Sequence, residues 1–205
     1  NTAMGSRSLS VNTTGSYNTA LGNNALHCFQ TGEYNTAVGK SSMSGSGSEC
    51  GDADATYSTG SYNTALGAES LIDVTTGSKN VAMGYQAGYS NTTGEKNVAI
   101  GYQAGYSNTT SSENIAIGYQ ALYSHTDYFG TSLGRNVAVG TEALYANTSG
   151  IYNHAFGYRS MYNNTTGFYN SAFGARSMLA NTTGNQNTAM GSRSLSVNTT
   201  GSYNT

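Results

Sequence analysis

Two stretches of the sequence hold the side chains most able to bind a ligand or a metal ion. In the first, residues 44–56, three acids could coordinate Ca²⁺ through their carboxylate oxygens: Glu49, Asp52 and Asp54. They lack the spacing of an EF-hand loop, so a solvated acidic loop is the alternative. Cys50 lies among them, and a disulfide with Cys28, the other cysteine of the chain, would pin this stretch. Two free thiols are the alternative to the disulfide.

The second stretch, residues 124–134, brings together a histidine, an acid and two aromatic residues: His125, Asp127, Tyr128 and Phe129. Exposed aromatic rings beside hydrogen-bonding groups suit a glycan-binding loop, because exposed apolar patches usually serve an interaction. The stretch is therefore a candidate contact for a surface glycan. The alternative is that Phe129 and Leu133 pack back onto the protein as a local plug.

Catalytic chemistry has little support in the sequence. The ten acids are scattered, and the three histidines lack metal-ligand spacing to the two cysteines. No nucleophile elbow or phosphate-binding loop is visible, because the glycines follow a regular repeat. We therefore predict that the protein is not an enzyme and has no catalytic residue, resident metal or cofactor. A glycan depolymerase that assembles its carboxylates from separate repeats is the alternative.

The composition excludes several classes of partner. Only 9% of the residues are charged and the net charge is −2, so the chain lacks the basic surface needed to bind nucleic acid or an anionic membrane. No apolar run approaches the ~18 residues of a membrane span. Glycine is abundant, but the 17 tyrosines and the absence of proline argue against a disordered chain. We predict no nucleic-acid partner and no membrane span.

Both stretches interrupt a repeat of 17 residues that begins with Asn. The units start at residues 1, 18, 35, 63, 80, 97, 114, 136, 153, 170, 187 and 204. Their pattern is N-x-A-Φ-G-x-x-[AS]-Φ-x-x-N-T-T-G-x-x, where Φ is apolar and positions are numbered 1–17. Asn at position 1, Ala at position 3 and Gly at position 5 hardly vary. These are the predicted structural ladders, which in three central units are Asn80, Ala82, Gly84, Asn97, Ala99, Gly101, Asn114, Ala116 and Gly118.

A unit of this length accommodates two short strands and two tight turns. Positions 1–5 and 8–11 are the predicted strands, and the N-T-T-G segment is the predicted turn between them, whose Asn and Gly tolerate positive φ. Such coils, stacked about 4.8 Å apart, form an all-β, parallel β-solenoid or β-roll. The two stretches 44–56 and 124–134 then leave a continuous rod as insertion loops.

Ordering the residues of a coil costs about 1–2 kcal/mol each. Each coil has few large apolar side chains whose burial could offset this cost. Two further sources of stability fit the pattern. Asn side chains at equal positions can hydrogen-bond along the rod axis, and several chains can bury one face of each rod together. We expect the Ala at position 3 to point into the roll. The large residue at position 4 would face a core shared by a parallel homotrimer.

Two side-chain types recur in line along the predicted rod. Arginine occupies position 7 of three successive units: Arg159, Arg176 and Arg193. A stack of like charges needs screening, by solvent or by a polyanion. Tyrosine recurs at positions 6, 10 and 17, and we interpret these ladders as packing rather than as a ligand platform.

The unit resembles two kinds of extracellular fibre. Residues 97–101 and 114–118 resemble the N-S-V-A-I-G-like strand in the heads of trimeric autotransporter adhesins. Residues 80–94 and 136–150 resemble the N-T-A-V-G-Y-x-A-L…N-T-T-G repeat of phage tail-fibre-like proteins. The resemblance covers nearly the whole chain. It implies a homotrimer within a longer filament, an extracellular, cell-surface or virion location, and attachment to cells or surfaces.

A longer repeat lies above the 17-residue one. Residues 1–19 recur without change at 187–205, whereas the units at 170 and 1 agree at only nine of 17 positions. We expect a larger protein built of 186-residue blocks, although a single tandem duplication also explains the identity. A full-length gene with one copy of the block would contradict the larger array.

The leading hypothesis for function is a structural fibre shaft that displays adhesive elements. An ice-binding solenoid is the alternative, because Thr pairs at positions 13 and 14 recur at coil spacing: Thr92 with Thr93, Thr165 with Thr166, and Thr182 with Thr183. A purified rod without thermal hysteresis would dismiss that alternative.

Overall fold

The computed structural model describes residues 1–45, 50, 57–126 and 133–205. These residues contain eleven strands of three residues each, hydrogen-bonded in chain order as one parallel sheet. The strands are β1 Thr2–Met4, β2 Thr19–Leu21, β3 Thr36–Val38, β4 Thr64–Leu66, β5 Val81–Met83, β6 Val98–Ile100, β7 Ile115–Ile117, β8 Val137–Val139, β9 His154–Phe156, β10 Ser171–Phe173 and β11 Thr188–Met190. Neighbouring strands pair equal unit positions, such as Ala82 with Ala99. The predicted all-β parallel solenoid of 17-residue coils is confirmed.

The core is narrow and lies inside the coils. Side chains alternate along a strand, so position 3 points inward while positions 2 and 4 point outward. In β5, Ala82 is fully buried whereas Met83 is 38% exposed. The interior is completed by the Ala or Ser at position 8 and the Leu or Met at position 9, as with the buried Ala143 and Leu144. The expectation that the position 3 Ala faces the interior is confirmed.

The predicted second strand at positions 8–11 is wrong, because this part of the coil is a run of turns. Positions 7 and 9 adopt left-handed backbone conformations, with φ of 54° at Gln86 and 48° at Leu71. The rotation directs their N–H groups along the rod axis. The N–H of Gln86 donates to the carbonyl of Ala68 in the preceding coil at 3.1 Å, and that of Leu71 donates to Ala87 in the following coil at 3.0 Å.

A third left-handed corner lies at position 17 rather than in the N-T-T-G segment. Lys96 has a φ of 56°, and its N–H donates to the carbonyl of Ser78 at 3.0 Å. Within the described ranges, no Asn at position 12 and no Gly at position 15 has positive φ, so this segment does not use the conformation that Asn and Gly tolerate. The Gly is required there by space, because a Cβ on Gly77 would lie 2.7 Å from the carbonyl oxygen of Gly94.

The Gly at position 5 is required by both conformation and space. Gly84 has a φ of 131°, a conformation that residues with a side chain rarely adopt. A Cβ on Gly84 would also lie 2.5 Å from the carbonyl oxygen of Gly101 in the next coil. The repeat of Gly at this position therefore follows from close stacking of the backbones.

Asn at position 1 forms an unbroken hydrogen-bonded ladder along the rod. The backbone N–H of Asn170 donates to Oδ1 of Asn153 at 3.1 Å, and Nδ2 of Asn153 donates to the carbonyl of Gly167 at 2.7 Å. The same backbone-to-side-chain bond joins each position 1 Asn to the next, from the first coil to the last. Each internal Asn of the ladder is buried. The amide therefore replaces water as the partner of two backbone groups, except at Asn114, whose Nδ2 has no acceptor among the described residues.

We expect Asn153→Ala to lower the thermal midpoint and to speed hydrogen exchange at the Asn170 amide. The substitution removes the acceptor of the buried Asn170 N–H, at about 1–3 kcal/mol, whereas the Gly167 carbonyl keeps the hydrogen bond from Nδ2 of Asn164. Asn163→Ala is the matched control, because Asn163 is an exposed Asn of the same coil. Equal thermal midpoints for the two variants would contradict the role of the ladder.

Candidate functional site: the outer face of the sheet

The outward side chains of the strands form a continuous surface, which we call the outer face and define as positions 2 and 4 of β1–β11. Position 4 is apolar in every strand. In β5–β8 position 2 is apolar as well, so this central part consists of Val81, Met83, Val98, Ile100, Ile115, Ile117, Val137 and Val139. The face is therefore a stripe of apolar side chains that runs parallel to the rod axis.

Position 4 side chains are well exposed in β1, β2, β4, β5, β10 and β11 and partly exposed in β3 and β6–β9. Position 4 side chains are 42% exposed at Leu66, 38% at Met83 and 40% at Phe173. Phe156 and Phe173 stack with their ring centroids 4.9 Å apart, so the row remains continuous between coils. A contiguous exposed apolar surface of this length is typical of an interaction site.

Tyrosine ladders border the outer face and continue around the coil. Tyr85, Tyr102 and Tyr119 at position 6 stack at 5.5 and 5.4 Å and are each nearly half exposed. Five rings stack at position 10 with centroid separations of 4.9–5.2 Å: Tyr89, Tyr106, Tyr123, Tyr145 and Tyr162. Burial raises the pKa of the Tyr89 and Tyr106 hydroxyls. Equal spacing of coils places equal side chains in stacking contact.

Position 7 carries a polar ladder whose pairing differs from the predicted stack of like charges. Nε2 of Gln103 donates to Oε1 of Gln86 at 2.8 Å. Arg159 donates through Nε to Glu142 of the preceding coil at 2.5 Å, and Arg176 lies over the Tyr158 ring. Arg159 is therefore neutralised within the chain, by a pairing between coils that the positions of the arginines alone do not reveal.

Position 17 brings three charged groups together on the surface. Arg135 donates through Nε to Glu113 at 2.6 Å and through Nη1 to the Tyr152 hydroxyl at 2.6 Å. Lys96 lies 3.5 Å from the other oxygen of Glu113. The hydrogen bond and charge of Arg135, aided by Lys96, lower the pKa of the Glu113 carboxyl.

The first insertion is attached to the rod by its cysteine. Cys28 and Cys50 form a disulfide with their Cα atoms 5.4 Å apart, and Cys28 is buried. The chain re-enters the stack at Ser58, whose N–H donates to the carbonyl of Cys28 at 2.9 Å. The candidate Ca²⁺ ligands lie outside the described residues: Glu49, Asp52 and Asp54. Their role stays a prediction.

A cleft beside this disulfide was not apparent in the sequence. It has a volume of about 320 Å³ and is lined by Arg7, Ser10, Val11, His27 and Cys50. Oγ of Ser10 lies 2.6 Å from Nδ1 of His27 in the next coil. Residues 17 apart become neighbours only when the coils stack, so no local motif marks the pair.

The second insertion does not present His125 at the surface. His125 is fully buried at unit position 12, and its Nδ1 lies 3.1 Å from Nδ2 of Asn147. The expectation that this ring joins an exposed contact loop is therefore wrong, because the histidine takes the place of the ladder Asn. Leu133 pairs with Ser112 of the preceding coil. The remaining candidates lie outside the described residues: Asp127, Tyr128 and Phe129.

The two threonines of a pair, at positions 13 and 14, differ in their hydrogen bonding. At position 13 the hydroxyl of Thr92 donates to the carbonyl of Thr109 at 3.0 Å, and other coils repeat this bond between Thr165 and Thr182 at 3.1 Å. Thr93 and Thr166 at position 14 are exposed, whereas Thr110 at the same position is only partly exposed. The coils of Thr93 and Thr166 therefore each offer one free Thr hydroxyl from the pair rather than two.

Across the ranges that the structure describes, no group of three or more His, Cys, Asp or Glu residues is arranged to hold a metal ion. The same ranges contain no helix long and apolar enough to cross a membrane. No protein-family model, curated protein or solved structure matches the chain.

We expect the disulfide to be detected by alkylation and mass spectrometry. The native chain should take up no iodoacetamide until it is reduced, and should then take up one adduct at each of Cys28 and Cys50. Alkylation of both thiols in unreduced protein would contradict the disulfide.

We expect the pKa of Glu113, followed by NMR, to lie below its ordinary value of 4.5. Because the folded-state pKa is lowered, the ion pairs stabilise the rod above the ordinary pKa, and this contribution is lost as the pH falls through the lowered one. Arg135→Gln should move the pKa back towards 4.5. The same pKa in both proteins would show that Arg135 does not hold the carboxylate.

Proposed function

We propose that the chain is a shaft segment of an extracellular or virion fibre, assembled from parallel copies that bury their outer faces together. The observation that carries the proposal is the apolar stripe on the outer face, formed by position 4 in every strand and by position 2 in β5–β8. Its burial would supply the apolar contacts that each narrow coil lacks on its own.

Another copy of the chain is the partner that fits this stripe best. Apolar side chains recur once per coil, so a partner must present apolar groups at the same spacing over many coils. A parallel copy does so at every coil, and symmetric association of identical chains is the common form of assembly. We favour three copies, because a stripe on one side of a rod can then close around a central axis.

The shaft can continue beyond one block of ten coils. The first and last complete coils have the same sequence. The N–H of Thr2 donates to the carbonyl of Asn18 at 2.8 Å, and that of Thr188 donates to Asn204 at 2.8 Å. The last complete coil therefore bonds to the residues that follow it in the same way as the first coil bonds to the second. Tandem blocks would extend the rod without a special junction.

The shaft would act through length, stiffness and display. Stacked backbones and side-chain ladders join each coil to its neighbours, which resists bending and proteolysis. The insertions leave the rod at two levels in each block and would carry contacts to a cell surface or to a surface glycan. An adhesive element at the end of the filament would complete attachment.

The native mass by light scattering tests the assembly. We expect about 64 kDa, three times the 21.3 kDa of the chain, and rods in electron micrographs. Ile100→Lys with Ile117→Lys should give a folded species of 21.3 kDa, because charge on the central stripe opposes burial.

The matched control is Thr76→Lys with Thr93→Lys, which adds the same charge at two exposed positions away from the outer face. It should keep the mass of the parent protein. A monomeric parent chain, or an Ile100→Lys and Ile117→Lys variant that keeps the parent mass, would overturn the shared core.

A further inference from the structure

Two adjacent coils lack the large side chain that fills the interior at position 9. Gly88 and Gly105 occupy this position, whereas the flanking coils have Leu71 and Leu122. The result is a cavity of about 20 Å³ inside the roll. Its lining combines apolar side chains, such as Ala99, with asparagines of positions 1 and 12.

Two of the asparagines that line the cavity have a buried side-chain oxygen without a hydrogen-bond partner among the described residues. Asn91 and Asn108, at position 12, are buried, and their Nδ2 atoms donate to the carbonyls of Gly94 at 3.0 Å and Ser111 at 2.8 Å. These bonds orient the side-chain amides. Because the donor is Nδ2, the amide atom that these bonds leave unpaired is Oδ1. Within the described part of the chain, neither Oδ1 accepts a hydrogen bond.

A third group on the cavity wall has the opposite character. Asn114, at position 1, is buried, and its Nδ2 donates to no acceptor among the residues that the structure describes. The cavity therefore has both unpaired acceptors and an unpaired donor on its wall. Buried polar atoms of this kind are normally satisfied by the protein or by ordered water.

Coils with a large residue at position 9 show the contrasting arrangement. Nδ2 of Asn164 donates to Oδ1 of Asn147 at 2.8 Å, and Nδ2 of Asn181 donates to Oδ1 of Asn164 at 2.9 Å. These coils have Leu144, Met161 and Met178 at position 9. Neighbouring position 12 asparagines are thus bonded directly to each other in these coils, whereas Asn91 and Asn108, beside the two glycines, are not.

We propose that the cavity beside Gly88 and Gly105 is an internal water site, in which water bridges Oδ1 of Asn91 and Oδ1 of Asn108. The volume exceeds the roughly 10–15 Å³ that one water requires. Water both donates and accepts, so it can satisfy two oxygens and the Asn114 amide.

Other occupants fit this wall less well. An apolar molecule would leave every unpaired atom unsatisfied. Ca²⁺ or Mg²⁺ needs about six or more oxygen ligands, and the N–H of Asn114 would repel it. Bound water would replace the missing direct bonds of the position 12 ladder across the two glycine coils.

High-resolution crystallography of the whole chain tests the site directly. We expect water density within hydrogen-bond distance of Oδ1 of both Asn91 and Asn108. The internal control is the pair Asn164 and Asn181, between which no water is expected. A cavity without density, or side-chain amides bonded directly to each other, would overturn the proposal.

Solution NMR tests it independently through nuclear Overhauser contacts between long-lived water and the methyl groups of Leu71 and Leu122. We expect these contacts in the parent protein and their loss in Gly105→Leu. That variant is expected to fold, because a Cβ on Gly105 would lie 3.6 Å from Cβ of Ala99, and because Leu122 holds the same left-handed conformation. Contacts absent from the parent, or unchanged in the variant, would overturn the proposal.

Discussion

Hydrogen bonding from each coil to the next is the interaction on which the rest of this structure depends. Strands of three residues are too short to be stable alone, and the interior between them is narrow. The backbone bonds of the sheet continue through the turns, and the position 1 Asn carries them where the chain enters each strand. Since these bonds join the same two unit positions from one pair of coils to the next, the length of a coil is constrained to 17 residues wherever the chain stays in the stack.

This constraint explains where the chain tolerates extra residues. An insertion is compatible with the rod when the chain leaves and returns at positions that restore the register. After the first insertion, the N–H of Gln30 donates to Ser58 at 3.1 Å and that of Asn63 donates to Oδ1 of Asn35 at 2.9 Å. The disulfide of Cys28 lies at this same point. Loops can thus vary without cost to the ladder, which suits a shaft that carries contacts on its side.

The inside and the outside of the coil follow different rules. Inside the coil, the Ala at position 3 is too small to fill the space left when position 9 is Gly. A cavity therefore opens, as at Gly105. Outside, position 4 changes from Met to Phe between coils but stays apolar in every strand. Such a pattern is expected if side chains in the interior must fit a fixed shape, while side chains on the outer face need only be apolar. The proposed self-association uses that difference.

The sequence by itself determined the coil length, the parallel register and the inward Ala, because repetition reveals what every coil must share. It could not reveal the left-handed corners: Gln86 and Lys96 carry no Gly or Asn signal, and their conformation is stabilised only by a neighbouring coil. Nor could it reveal the Arg159 pair with Glu142, or the burial of His125, because each depends on contact between residues 17 or more apart. The tertiary structure decided these features, since stacking converts equal unit position into physical proximity.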